Sequence, residues 1–281
     1  MMRILLLLTI VLASCAGPQP DSTVELPPAA PSEALEGSDS NLEPQTQADP
    51  PITPLSKGPV NPPRFVKTSL AGISIEAITF DSRSHFLAVA DQAQGPGSIW
   101  PDCRAAGQST GGIAAINAGF FTPEGKPLGK VITNGKSTGE INRASSLGSG
   151  FYIRSSSGTM DLIRREKFNS ARQALQSGPF LVENGSAVGG LSDKQSSARS
   201  IVAYDGRSQW VIARTGACSL SQLARALQGN SIGDTTLQQV LNLDGGRSSE
   251  FWASDKVSGG PHFERPFWNK AVRNFLVVRS R

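Results

Sequence analysis

The chain has 281 residues, with 27 basic and 23 acidic side chains and a net charge of +4. Its two histidines, His85 and His262, and its three cysteines form no Cys-x-x-Cys or Cys/His cluster, which excludes the usual zinc sites; no metal or other cofactor is expected. The basic residues are scattered rather than blocked, so the charge does not single out nucleic acid as a partner.

Arg3 followed by the apolar run Ile4 to Leu12 has the build of an export signal, too short to span a bilayer as a mature helix. Leu12-Ala13-Ser14-Cys15 resembles the lipobox of bacterial lipoproteins. That resemblance implies cleavage before Cys15 and acylation of its thiol and amine, and several acyl chains anchor stably where one does not. Ala16, not aspartate, follows the cysteine. The expected location is therefore the bacterial cell envelope, lipid-anchored in the outer membrane and facing the periplasm. Residues 16–62 read as a disordered linker: twelve of the nineteen prolines fall between Pro18 and Pro63, and seven acids face one base. As a flexible coil it reaches roughly 40 Å.

Residues 63–281 form the expected folded domain, with 25 basic against 16 acidic side chains, a net +9. This favours anionic partners such as glycan or sugar phosphate. Leu70 to Phe80 and His85 to Ala90 alternate as strands, and the short link Asp81-Ser82-Arg83 predicts a hairpin. His85, at a strand start, reads as an edge residue. Residues 91–112 read as a Gly/Pro/Ser-rich loop that contains Cys103. The apolar run Ile113 to Ile116 delivers Asn117 to its end, where the carboxamide either contacts a ligand or caps its own turn. Leu128 to Thr133 is a strand closed by Asn134-Gly135, a strong hairpin turn. Phe151 to Arg154 and Met160 to Arg164 form a hairpin. Glu166 to Gln176 reads as a helix, with Phe168, Ala171, Ala174 and Leu175 on one face.

Phe180 to Val182 is a strand before Asn184-Gly185, and Arg199 to Tyr204 pairs with Trp210 to Arg214 about Asp205-Gly206. Ser219-Leu220-Ser221-Gln222 carries a capping-box pattern ahead of a short helix stopped by Gly229. Val240 to Leu243 leads into Asp244-Gly245-Gly246-Arg247-Ser248-Ser249, and Asn274 to Val278 is the last strand. The expected class is α+β: a single domain with a mixed or largely antiparallel sheet and two or three short helices. Cys103 and Cys218 remain as an even pair in an oxidising compartment. A bridge there is worth up to ~4–5 kcal/mol in the chain-entropy model, and two unpaired thiols remain the alternative.

Ala115-Ile116-Asn117-Ala118-Gly119-Phe120-Phe121 and Leu241-Asn242-Leu243-Asp244-Gly245-Gly246-Arg247-Ser248-Ser249 together resemble the phosphodiester glycosidase family. The resemblance continues through Lys126-Pro127-Leu128-Gly129, Ser177 to Gly185, and Ala198-Arg199-Ser200, covering about residues 70–280. Two positions depart from it: Ala118 replaces a glycine, and Arg247 stands where a small residue is expected. The resemblance implies a hydrolase acting on a sugar-1-phosphodiester such as an N-acetylglucosamine-1-phosphodiester. It assigns catalytic roles to Asp244, Arg199 and Asn117. A carboxylate suits the positive charge that develops at the anomeric carbon. A planar guanidinium suits two phosphate oxygens. Asn117 would orient a hydroxyl or the phosphate. Gly119, Gly245, Gly246, Arg247 and Ser248 would line the substrate, the two adjacent glycines as an anion-binding nest. No histidine is placed to activate Ser248 as a nucleophile. Glu250 reads as structural. The other functions open at this stage are a non-catalytic envelope lipoprotein that binds anionic glycan and a wall-editing glycosyl-phosphate transferase.

Overall fold

A computed structural model describes residues 59–281. Cys15, the export signal and residues 16–58 of the acidic linker lie outside the described residues.

Seven strands form the largest sheet, in the spatial order Arg64–Leu70, Ile73–Asp81, Gln209–Thr215, Ser200–Tyr204, Gln239–Asn242, Phe180–Glu183 and Ser186–Ala187. A five-stranded sheet runs His262–Glu264, Phe251–Ala253, Ala114–Asn117, Asn274–Ser280 and His85–Asp91. A second runs Lys136–Thr138, Val131–Thr133, Gln173–Ser177, Gly150–Arg154 and Met160–Arg164. Ser231–Ile232 and Thr235–Thr236 make a small hairpin apart from these. Strands pair antiparallel throughout the described residues; the one parallel contact is an isolated bridge between Arg64 and Ser258.

The three large sheets share one core. Ile78, Trp210, Val202 and Leu241 from the first meet Leu87, Ile116, Phe251 and Leu276 from the second and Tyr152, Leu162 and Leu175 from the third. The seven-stranded sheet is buried on its other face too. Ile201, Ala203, Val211 and Val240 alternate with the core-facing residues and pack under Leu223, Ala224 and Leu227. Burial on both faces explains why Ile201 to Ala203 and Val240-Leu241 are apolar runs rather than alternating ones. The covering helix is Leu220–Leu227, and Ser219 and Gln222 close the expected capping box. No helix among the described residues is long and apolar enough to cross a membrane.

The class is mainly β, not α+β: among the described residues two short helices sit on an otherwise all-antiparallel framework of strands. The expected helix at Glu166 to Gln176 is instead a single 3-10 turn, Arg165–Lys167, followed by the central strand Gln173–Ser177. That strand pairs with Gly150–Arg154 on one side and Val131–Thr133 on the other. Phe168 still packs inward, stacked on Phe151 at 4.2 Å, so tertiary packing uses the same apolar residues in another geometry. The expected loop at 91–112 holds the helix Cys103–Ser109, capped where the Asp102 carboxylate accepts from the Ala105 N–H at 2.8 Å.

Ile73–Asp81 and His85–Asp91 are not a hairpin, since they belong to different sheets. Ile73–Asp81 pairs instead with Arg64–Leu70 across Ala71-Gly72, whose φ values are +48° and +78°. That turn matches strand twist, but alanine gives it no turn signature. His85 sits on the edge strand of its sheet. Cys103 and Cys218 are free rather than bridged. Cys103 is buried beside Trp252 and Phe275, whereas Cys218 is buried beneath the Leu220–Leu227 helix in a separate apolar cluster.

Candidate active site

The stretch Leu243 to Glu250 is the crossover between two sheets. It leaves the seven-stranded sheet at Asn242 and enters the first five-stranded sheet at Phe251. The Leu243 N–H donates to the Ser200 carbonyl at 2.8 Å, and the Asp244 N–H donates to the Ala118 carbonyl at 2.8 Å. Asp244 is therefore pinned where the ends of strands Ala114–Asn117 and Gln239–Asn242 meet the start of Ser200–Tyr204.

Asn117 is fully buried beneath it. Its Nδ2 donates to the Asp244 carbonyl at 2.7 Å, and its Oδ1 accepts from the Ser200 hydroxyl at 2.6 Å and the Glu250 N–H at 3.1 Å. The carboxamide thus clasps three segments and holds the Asp244 backbone. Its side chain is buried and its hydrogen bonds run to protein groups, so in this structure it acts on Asp244 through the backbone. Ser200 and Ser249, which sequence reasoning passed over, complete the clasp: their buried hydroxyls lie 3.0 Å apart. A serine opening an apolar strand, as in Arg199-Ser200-Ile201, was the signal available.

Asp244 keeps some exposure. Its carboxylate accepts from the Gly245 N–H at 2.9 Å and from the Ser248 hydroxyl. Burial outweighs these bonds and pushes the carboxyl up to about 6. Ser248 is thus a partner of the carboxylate. Gly245 is required sterically, because a Cβ there would sit 2.8 Å from the Ala198 carbonyl oxygen. Gly246 takes a φ of +60°. The expected anion nest is not formed: the Gly245 N–H is engaged by Asp244, and the Gly246 N–H donates to the Ala198 carbonyl at 2.8 Å. Gly119 is also turned inward, its N–H donating to Asn274 Oδ1 at 2.6 Å. Its absent Cβ leaves room for Leu175, 3.1 Å from where that atom would be.

Arg199 lies against the same turn, its Cδ 3.6 Å from the position of a Gly245 Cβ. Its Nε donates to the Cys218 carbonyl at 3.0 Å and its Nη2 to the Gln195 carbonyl at 2.6 Å. No carboxylate among the described residues pairs with it. Desolvation lowers its pKa, yet a guanidinium stays charged. A cation held by neutral carbonyls keeps its charge available to an incoming anion. Arg247 is exposed, and its Nε and Nη2 both donate to the Trp268 carbonyl, at 3.1 and 2.9 Å. Glu250 is buried and structural: it accepts from the Cys103 N–H at 2.9 Å and from Arg265 Nε at 2.6 Å. Burial raises its carboxyl against the pull of Arg265.

Two other features lie apart from this turn. Glu76, His262 and Glu264 bring three ligand-type atoms within 4.8 Å of one another. Glu76 is paired with Lys67 at 3.0 Å and Glu264 faces Arg214 at 3.8 Å, so the group is a mixed-charge network. A cleft of about 480 Å³ lies beside Arg104, Trp252 and Phe263, where Arg104 covers the Phe263 ring.

A model of the phosphodiester glycosidase family matches residues 110–279, a span that includes Asn117, Arg199 and Asp244. No curated protein matches the chain by sequence. Among solved structures, the chain is similar to the catalytic domain of zebrafish N-acetylglucosamine-1-phosphodiester alpha-N-acetylglucosaminidase, auto-inhibited by its pro-peptide. The identity is 18%, covering 80% of this chain and 85% of that one, with a TM-score of 0.56. It is also similar to a hypothetical protein from Synechocystis, at 17% identity over 78% of this chain and 61% of that one, with a TM-score of 0.53. At such identities the two structures share a fold with this chain. The family match spans more than half of the sequence and carries both the Asn117 and the Asp244 motifs: the chain belongs to the phosphodiester glycosidase family and is a hydrolase.

Proposed function

We propose that the protein hydrolyses a glycosyl phosphodiester, of the N-acetylglucosamine-1-phosphodiester type, as a lipid-anchored protein of the bacterial envelope. The observation that carries this reading is the turn itself. A carboxylate raised to about 6 and a guanidinium without a carboxylate partner among the described residues are carried by two segments joined at the Gly246 N–H to Ala198 carbonyl bond. Arg199 neutralises and orients the phosphate. Asp244 supplies the negative charge that faces the anomeric carbon as the bond to the phosphate oxygen breaks. A phosphodiester is a weakly basic leaving group, so the reaction does not demand a strong general acid. Asn117, Ser200 and Ser249 act behind Asp244 by holding its backbone.

The test is release of free sugar from an N-acetylglucosamine-1-phosphodiester by the purified protein. Undiminished release by an Asp244→Asn variant would refute the site, and salt-sensitive glycan binding without any release would favour a binding role instead. For the anchor, Cys15→Ser should abolish incorporation of labelled palmitate and free the protein from the membrane fraction. Labelling that persists in that variant contradicts the assignment.

A further inference from the structure

Phe267 is 91% exposed and its neighbour Trp268 54%, the largest apolar side chains left open to water among the described residues. Their rings stand 4.8 Å apart at 75° and form a corner rather than a plate. The loop that carries them is firmly fastened. Arg247 donates twice to the Trp268 carbonyl, and the Lys270 N–H donates to the Arg247 carbonyl at 3.2 Å. Asn269 Nδ2 donates to the Ser249 carbonyl at 2.7 Å, and Arg265 pairs with Glu250. Every one of these anchors lies within residues 247–250, directly after the Asp244 turn. The loop is thus fastened to the segment that leaves the candidate site.

Exposing two large rings on a fixed loop runs against the hydrophobic effect, and contiguous exposed apolar surface marks an interaction site. The surroundings define the occupant. Arg247 and Lys270 are exposed cations at the foot of the corner, and Arg199 lies on the other side of Gly245. An anion joined to an apolar group complements both features. A pyranose ring stacks best on one broad flat face, whereas two rings at 75° make an angle that a flexible chain can follow. Arg247, which replaces the small residue expected after Gly-Gly, is the side chain that fastens Trp268.

We propose that the Phe267–Trp268 corner binds an alkyl-type aglycone, so that the substrate class is an amphiphilic glycosyl phosphodiester, a sugar linked through phosphate to an apolar chain. This rests on the reading of Asp244 and Arg199 as the phosphodiester site.

The experiment is calorimetric titration of the full chain carrying Cys15→Ser, which keeps acyl chains out of the assay. The probes are butyl phosphate, octyl phosphate below its micelle-forming concentration, and N-acetylglucosamine 1-phosphate. With about half of each methylene leaving water, affinity should rise roughly twofold per methylene, or on the order of tenfold from butyl to octyl. A Phe267→Ala/Trp268→Ala variant should lose that gain while keeping its affinity for the sugar phosphate. Val60→Ala, which trims an exposed apolar residue elsewhere, should keep the gain. Equal wild-type affinity for the two alkyl phosphates, or a full gain in the double variant, overturns the proposal. So does a double variant that loses sugar-phosphate affinity as strongly as octyl phosphate, which would make the corner a sugar subsite. Arg199→Gln separates the two readings: unchanged binding of every phosphate probe refutes the phosphate site, while the chain-length effect still tests the corner.

Discussion

Replacing Asp244 by asparagine should make the protein more stable and inactive at once. The ordinary value for this carboxyl is 3.8, and burial raises it to about 6. That difference corresponds to roughly 3 kcal/mol favouring the protonated form in the folded state. The sign follows from proton linkage. Between the two values the folded chain holds a proton that the unfolded chain has released, so stability falls as pH rises through this window and stays lowered above about 6. Asparagine mimics the neutral form and keeps an oxygen for the Gly245 N–H and the Ser248 hydroxyl. It should therefore match the wild type near pH 4 and exceed it by about 1–3 kcal/mol at pH 8, the lower figure allowing for water at the partly exposed carboxylate. Urea denaturation at pH 4, 6 and 8, run on both proteins, reads this directly. A difference that does not grow with pH, or a less stable variant at pH 8, would refute the reasoning. The same geometry predicts that wild-type turnover falls as pH drops below about 6, because the ionised carboxylate is the reactive form.

Three further substitutions probe the elements around it. Asn117→Ala strands the Glu250 N–H and the Asp244 carbonyl and leaves the Ser200 hydroxyl only its Ser249 partner, and should cost about 2–4 kcal/mol by chemical denaturation. Arg199→Gln should lower stability by no more than about 1–2 kcal/mol, through its bonds to the Cys218 and Gln195 carbonyls, and lower kcat/KM on a phosphodiester by roughly 10- to 100-fold; an equal loss on an uncharged glycoside would refute contact between the guanidinium and the phosphate. Gly245→Ala forces a methyl to 2.8 Å from the Ala198 carbonyl oxygen, and should destabilise by about 1–3 kcal/mol and depress activity, read by thermal melts and sugar release together.

Local chemistry made part of the framework legible. Asn134-Gly135 and Asn184-Gly185 adopt positive φ at both positions, as their hairpins demand. Ser219 and Gln222 cap their helix as a capping box does. The hairpins at Phe151 to Arg164 and Arg199 to Arg214 likewise follow from alternation and turn residues. Gln173–Ser177 shows the limit. An apolar segment buried on both sides has no period that separates helix from strand, and only its two neighbouring strands decide which it becomes. The pairing of Ile73–Asp81 with Arg64–Leu70 was hidden because Ala71 carries no turn signature. The helix at Cys103 was hidden because its burial comes from Trp252 and Phe275, which are distant in sequence.

For the site, the sequence by itself determined which residue types exist to do the work: a carboxylate on a glycine turn, an arginine before a strand and an asparagine after one. Their ordered motifs also marked the family. Only the tertiary structure decided what each faces. It turned the Asn117 carboxamide, the glycine N–H groups and the Glu250 carboxylate toward protein partners, and left Arg199 without a carboxylate partner among the described residues. It also brought Phe267 and Trp268 beside the turn through Arg247. The physical reason is that residue identity sets which hydrogen bonds and charges are available, whereas burial and pairing depend on distant segments, such as Gly119 and Asn274, 155 positions apart, meeting in one place.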